Sequence, residues 1–537
     1  MYRTPITHLN ARRIMTPSLP RSLPHGRSTL AAVTLLATAL SAPLGAQSSS
    51  AGSTPALPPA ISEIRQADLE RDLYAMAADS MRGREAGTVD ELRASMWLAE
   101  EMRRIGLVPK GEDGSWFQWW SMRVTRISDS ATTVRIGGRP YALWRDVIPV
   151  TNSGVTISAP TKFAGDGSDS SIDVRGRVAV ATLVAPPESA IRATTNTHDY
   201  NYARVAISQA AREYGARGAK AVILVADSVA DDVFDAIALV QARGRDDVVG
   251  GVPRFSRNRN ATSRNTSATP RPAPVFLVRR AALAALRAGG QKAELHVGME
   301  SFEYPSVNVI GAVRGSDPAL SGEYVVFSSH QDHDGVRYSV AGDSIWNGAD
   351  DNASTSVALL AIARAWVKQP GKRSALFIFH GAEERGLLGS RYHVAHPVVP
   401  LGSIVAVLNG DMIGRNDPDT AALLGSQPPH RNSAALVAMA IQANRATGEF
   451  VIDSSWDRPT HPEGWYFRSD HVPYAERGVP ALFFSTNLHP DYHTPRDEAR
   501  GIDYAKLTRM TRWMYMTGWL AANAAERPAV DPGFVLR

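Results

Sequence analysis

Apolar and polar positions change rhythm three times along the chain. After residue 60 the spacing is helical: Leu69, Leu73 and Met76 recur at i, i+4 and i+7. A second helical run goes from about Asp90 to Arg104, with Leu92, Met96 and Met102 among its apolar positions and Gly106 as its stop. Ser115 to Met122 has the composition of a strand, and its four aromatic residues suit sheet packing. From about Ser128 to Glu300 short β-like runs alternate with Gly/Ser/Asp turns, around a helix at Asn201 to Tyr214 and buried strands near 218–226 and 272–278. From Tyr304 onward strands and helices alternate. Strands are expected at 307–313, 324–330, 375–380, 404–409 and 480–485, and helices at 354–366, 434–444 and 504–525. This alternation predicts an α/β fold with a mostly parallel central sheet covered by helices on both faces.

Length and composition narrow the picture. A chain of 537 residues is too long for one core, so two or three domains are expected. The net charge of +5 comes from arginines strewn among acidic residues, which argues against nucleic-acid binding. The absence of cysteine excludes disulfides, thiolate catalysis and Cys-ligated zinc. Arg12, Arg13, Arg21 and Arg27 precede an apolar run of about a dozen residues ending at Leu40, and small residues lead to Ala46. That run is too short to span a membrane and has the form of a signal-peptide core, so residues 1–46 are expected to direct export. No later stretch reads as a membrane span. Residues 47–60 read as a linker, and Arg254 to Arg271 as a loop without apolar period. Asn260 and Asn265 there sit in glycosylation-type triplets of a kind that arises by chance in such a composition.

The chemistry concentrates where strands end. His330-Gln-Asp332-His333 closes one apolar run, Asp350-Asp351 opens a helix, Glu383-Glu384 follows a second run and Asp411 a third. In open α/β sheets ligands bind at the C-terminal edges of the strands. His330, Asp350 or Asp351, Glu383 or Glu384, Asp411 and a later histidine, best placed at His493, are oxygen and nitrogen ligands of the kind zinc takes. Five ligands with one shared suit a two-metal centre, and the spare glutamate can serve as general base. Either aspartate of the first pair alone could be only a helix cap. His333, His380, His396, His461 and His471 have no place in this set and read as structural or substrate-side.

These motifs, together with Gly348-Ala-Asp-Asp351-Asn-Ala-Ser, Phe379-His-Gly-Ala-Glu383-Glu384-Arg-Gly-Leu-Leu-Gly-Ser390, Leu408-Asn-Gly-Asp411-Met and Tyr492-His493-Thr-Pro, resemble the co-catalytic di-zinc aminopeptidase family. The likeness is strong over about 301–525 and weaker over 61–110, where Gly83-Arg84-Glu-Ala-Gly87 takes part. It implies a zinc exopeptidase fold and two Zn2+ ions. His330 and Asp411 would hold one zinc, Glu384 and His493 the other, and Asp351 would bridge them. Glu383 would be the base toward a zinc-bridging water that attacks the first peptide carbonyl. Asp332 would orient a ligand histidine, Tyr492 or Tyr466 would serve the oxyanion, and the Asp351-Asn352 peptide would be cis. The middle segment, with Gly176-Arg-Val-Ala-Val180, the helix ending before Val222-Ile223 and the Pro-Val-Phe-Leu run, resembles a protease-associated domain that shapes access without doing chemistry.

The expected organisation is a signal peptide (1–46), a linker (47–60), the first part of the peptidase domain (61–127), a smaller β-rich protease-associated insert (128–300) and the zinc peptidase domain (301–537). Peptides are the expected substrates, and the sequence leaves the oligomeric state open. A carboxypeptidase or dipeptidase on the same site would need arginines for a free carboxylate, with Arg458 and Arg468 as candidates. A catalytically dead binding protein of the same family would have lost ligands.

Overall fold

A computed structural model describes residues 55–186, 200–251 and 271–536. The expected signal peptide, residues 47–54 of the linker and nearly all of the arginine-rich stretch, with Asn260 and Asn265, lie outside them. No helix of the described residues is long and apolar enough to cross a membrane.

The elements that position the site are, in chain order, helices α1 (Gln66–Met76) and α2 (Val89–Ile105), strand β1 (Phe117–Ile127), helix α3 (Phe234–Arg243), strands β2 (Arg245–Val248), β3 (Met299–Val313) and β4 (Tyr324–His330), helix α4 (Thr355–Lys368), strand β5 (Ser374–His380), helix α5 (Leu388–Ala395), strands β6 (Ile404–Gly410), β7 (Thr420–Leu424) and β8 (Val451–Ile452), helix α6 (Ala434–Ala443), helix α7 (His471–Glu476), strand β9 (Ala481–Ser485) and helix α8 (Tyr504–Asn523). The larger sheet runs β8-β7-β9-β6-β4-β5-β3-β1-β2, with a two-residue strand at Val108–Pro109 pairing on β3.

Its centre is parallel: β9, β6, β4 and β5 point the same way. The flanks are antiparallel, because β3 opposes both β5 and β1 and β7 opposes β9. The sheet is therefore mixed, and the expectation of a mostly parallel sheet is corrected. The physical reason is the excursion between β1 and β3. The chain leaves the sheet at the end of β1 and re-enters at that same end, with Met299 opposite Ile127, so β3 runs back along β1 in the antiparallel sense. The two strands pair without a break from Phe117 opposite Val309 to Ile127 opposite Met299.

Alternation along the central strands sends side chains to two cores. Val325, Phe327, Phe377 and Phe379 face α1, α2, α4 and α8. Val326, Leu376, Ile378 and Val407 face the opposite layer, which holds Val394 of α5 and Tyr474 of α7. A strand buried on both faces has no polar face to show, which is why these runs are continuously apolar. Between β1 and β3 the chain builds a second, eight-stranded sheet from residues 133–297, with a hydrophobic cluster on each side. Strand β2 lies within this stretch of sequence but joins the larger sheet beside β1.

Local signals explain the helix ends. Thr88 caps α2 by accepting from the N–H groups of Asp90 and Glu91, and Gly106 closes it in the left-handed conformation that glycine adopts without cost. One feature escaped the sequence pattern: a hairpin of Gly335–Val340 and Asp343–Trp346 lies between His333 and the Asp350-Asp351 turn.

Candidate metal centre

The strand ends deliver the polar residues to one place. His330 is the last residue of β4 and Asp411 follows the last residue of β6. Glu383 and Glu384 lie in the turn between β5 and α5, and His493 in the loop after β9. Asp351 sits in the distorted turn that leads into α4, and its peptide bond to Asn352 is cis.

Three groups of potential ligands result among the described residues, His330–Asp351–Asp411, His333–Asp351–Glu384–His493 and His330–Glu383–Glu384, each with its ligand atoms mutually within 4.8 Å. The first two share Asp351, whose two oxygens face opposite ways. Oδ1 is 3.2 Å from His330 Nε2, and Oδ2 is 3.0 Å from His493 Nε2. Around the first group His330 Nε2 lies 3.5 Å from Asp411 Oδ1; around the second, His493 Nε2 lies 3.1 Å from Glu384 Oε1. Zinc bonds of about 2.0–2.1 Å separate tetrahedral ligands by about 3.3–3.4 Å. The observed spacings bracket that value.

The imidazole orientations fit a cation too. His330 Nδ1 is 3.1 Å from the carbonyl of Asp332, a contact that requires the proton on Nδ1. Nε2 then faces two carboxylates, and this buried nitrogen has no hydrogen-bond partner. His493 Nε2 likewise faces Asp351 Oδ2, in a hydrogen bond of 3.0 Å, while its Nδ1 lies 3.0 Å from Asp334 Oδ2. Burial opposes a charge on these rings, but Asp411 and Glu383 around His330 and Glu384 around His493 raise both well above the usual imidazole range, and a divalent ion would take the place of the proton so held. The donor set of imidazoles and carboxylates, without thiolates, fits zinc.

The electrostatics follow. Burial and Glu384 push the Asp351 carboxyl up, but the contacts with His330 and His493 outweigh them and hold it below the ordinary carboxylate range. Burial likewise opposes ionisation of Glu384, and His493 and His333 bring it well below its usual value. Glu383 goes the other way. Burial, then Glu384 and Asp411, raise it well above its usual value against the pull of His330. Glu383 Oε2 is 3.9 Å from His330 Nε2, so this carboxyl borders the cluster from the cavity side.

The surrounding residues fix this geometry. The Asp332 carboxylate accepts from the N–H groups of Glu383 at 3.0 Å and Glu384 at 3.3 Å, and so clamps the glutamate turn. Its carboxylate is 3.8 Å from His330, so the histidine is oriented by the Asp332 carbonyl instead, which corrects the expected side-chain role. Burial raises Asp332 to about 6. Ser469 donates to Asp411 Oδ2 at 2.8 Å. Asp350 accepts from the N–H of Gly414 at 2.7 Å and tethers the loop after Asp411. The Asp497 carboxylate accepts from the N–H groups of Asp350 and Asp351. Asp334, Asp497 and Ser469 went unnoticed in the sequence, because isolated Asp and Ser residues in loops carry no pattern.

Arg84 ties the N-terminal helices to the site. Its fully buried guanidinium donates to the carbonyls of Gln331, Met76, Asn347 and Gly348. The residue before it must be glycine: at Gly83, with φ of +68°, a Cβ would stand 2.3 Å from the carbonyl oxygen of Trp346.

A cavity of about 370 Å³ opens onto Glu383, Asp351 and His493 and is walled by Leu387, Met412, Trp465 and Phe467. Tyr492 and Arg468 also line it. The Tyr492 hydroxyl accepts from Arg468 Nη2 at 2.8 Å, and Arg468 Nη1 donates to Glu463 at 2.6 Å. Tyr466 does not line the cavity. It is buried with its ring stacked on His430 at 4.2 Å. His380 and His393 meet Tyr474 beneath the sheet, away from the cavity. His333 departs from expectation: it belongs to the second ligand group, with Nδ1 3.1 Å from Glu384 Oε1. The sequence signal was its position, three residues after His330.

Residues 308–517 match the model of peptidase family M28. The chain is 23% identical over 446 residues to aminopeptidase YwaD of Bacillus subtilis, covering 80% of this chain and 79% of that one. It is 28% identical over 195 residues to a probable leucine aminopeptidase 2 of Aspergillus oryzae, 36% of each chain. The solved structure of BSAP, a zinc aminopeptidase from Bacillus subtilis, superposes with a TM-score of 0.51 at 20% identity, over 90% of this chain and 100% of that one, a likeness of fold.

Proposed function

We propose that this chain, whose residues 308–517 belong to peptidase family M28, is an exported di-zinc aminopeptidase that hydrolyses the N-terminal peptide bond of its substrates. The observation that carries the proposal is the two-faced Asp351, with one oxygen toward His330 and the other toward His493. A carboxylate set between two ligand groups in this way is suited to bridge two ions.

In this reading His330 and Asp411 would hold one zinc, Glu384 and His493 the other, and Asp351 would serve both. Bound there, the zinc pair supplies Lewis acidity toward the scissile carbonyl and lowers the pKa of water. Glu383 takes the proton from the attacking water and returns it to the leaving amine. Its turn is held for this by the Asp332 carboxylate. The Tyr492 hydroxyl, polarised by Arg468, donates to the carbonyl oxygen as charge develops on it. The apolar wall of Leu387, Met412, Trp465 and Phe467 receives the first side chain. The middle segment is a protease-associated insert, and residues 1–46 direct export, on the strength of their basic and then apolar composition.

The carboxypeptidase reading needs a free arginine for the substrate carboxylate. Arg468 already engages Glu463 and Tyr492, and Arg458 does not line the cavity. The test is a panel of aminoacyl anilides against N-blocked peptides, with and without exhaustive chelation. Hydrolysis of the anilides alone, lost on chelation, is expected. Cleavage of blocked peptides only would establish the carboxypeptidase instead. Glu383→Gln is expected to keep the metals and lose activity; near-normal turnover would refute the role of Glu383.

A further inference from the structure

The geometry points to His333 as an additional protein ligand of the second metal, so that His333, Glu384, His493 and Asp351 surround one ion with four protein donors while His330, Asp351 and Asp411 supply three to the other. The inference rests on the two-metal reading and adds to it an asymmetry between the two sites.

Distances carry the argument. His333 Nδ1 is 3.1 Å from Glu384 Oε1 and 3.8 Å from Asp351 Oδ2. With the His493 spacings of 3.0 and 3.1 Å to those same two oxygens, this gives four edges of a tetrahedron. Zinc with ligands at about 2.0–2.1 Å needs edges of about 3.3–3.4 Å, which these values straddle. The two imidazoles approach edge to face with centroids 5.2 Å apart, so neither ring blocks the other nitrogen.

The ring is also held by its surroundings. The main-chain N–H of His333 donates to the Arg84 carbonyl at 3.2 Å. The ring lies against Gly348, where a Cβ would stand 2.4 Å from its Cγ, so glycine there leaves the room the imidazole occupies. His333 is buried in its entirety, and its other nitrogen, Nε2, has no hydrogen-bond partner. A histidine kept for a surface or packing role would not need its Nδ1 turned to the two oxygens that also face His493.

Four donors at one site and three at the other imply unequal affinities, with the second site the tighter. The experiment is titration of the stripped full-length protein with Zn2+ by calorimetry, and with Co2+ by visible absorption, for the wild type, His333→Ala and His333→Asn. The amide of Asn can reproduce a hydrogen bond to Glu384 but is a poor zinc ligand. Expected are two equivalents in the wild type, and in both variants a loss of affinity for the tighter equivalent of about 100-fold or more, since even partners outside the ligand shell are worth 10–100-fold. The intense Co2+ band of the four-donor site should fall with it. The unchanged weaker equivalent serves as the folding control. Retention of both affinities by His333→Ala, or full rescue by His333→Asn, would overturn the ligand role. A wild type that binds a single equivalent would overturn the two-metal reading itself.

Discussion

Arg84 offers the sharpest test of how the fold holds its site. The perturbation is Arg84→Lys, which keeps charge and most of the length. The guanidinium donates through Nε to Gln331 at 2.8 Å, through Nη1 to Met76 at 3.0 Å and Asn347 at 2.6 Å, and through Nη2 to Gly348 at 2.8 Å. These carbonyls belong to the end of α1, the residue after His330 and the turn before Asp351. They surround a planar fork, and a single ammonium nitrogen can reach about two of them. A hydrogen bond to a charged group contributes about 1.5–3 kcal/mol net, so the loss of two costs about 3–6 kcal/mol. A domain is stable by only about 5–15 kcal/mol, so this is a large share. Burial already pulls the guanidinium down to about 10. An ammonium starts lower and ionises less readily there, which adds to the cost. The assay is urea unfolding of the metal-free protein by tryptophan fluorescence, where a shifted midpoint at unchanged slope reads stability. A change below about 1 kcal/mol would refute the reasoning, since it would mean that the four carbonyls find other donors.

Two further expectations concern the site and its support. Tyr492→Phe should lower kcat by about 10²–10³, the usual effect of removing one oxyanion donor, while Tyr466→Phe stays near wild type; equal losses in steady-state kinetics would refute the assignment. Buried His393 has its pKa lowered to about 3, so the folded protein keeps it neutral while the unfolded chain protonates it near 6.5. Its contribution is therefore intact above pH 6.5 and lost as pH falls from there toward 3. Between pH 6.5 and 5.0 the loss is at most about 2 kcal/mol, from the slope of 1.36 kcal/mol per pH unit. His393→Gln should flatten that slope in unfolding measurements made across pH, and an unchanged slope would contradict it.

Much of the strand and helix pattern was legible because two-sided burial leaves a plain mark. Val325-Val-Phe, Ala375-Leu-Phe-Ile-Phe and Ile404-Val-Ala-Val-Leu are apolar at every position, as strands with a core on each face must be. Thr88 and Gly106 marked the ends of α2 through backbone chemistry that acts within a few residues. The hairpin after His333 stayed hidden: its strands are half-exposed, short and broken by a register shift, so they lack a clean alternation.

The order of residues along the chain determined which ligand-type residues stand at the ends of which apolar runs, because a strand's last residue is a local property. It also determined that these runs share one fold class. The rest followed from how distant segments pack. Parallel pairing of β4 with β5 and β6 brings their ends to one edge, and the antiparallel return from β1 to β3 makes the sheet mixed. The same three-dimensional placement moved His333 from the leftover histidines into the ligand group, took Tyr466 off the cavity and gave the Asp332 carboxylate to the glutamate turn. Each of those outcomes depends on where a side chain points once distant segments meet. A one-dimensional pattern records spacing along the chain, whereas coordination and hydrogen bonding depend on directions in space.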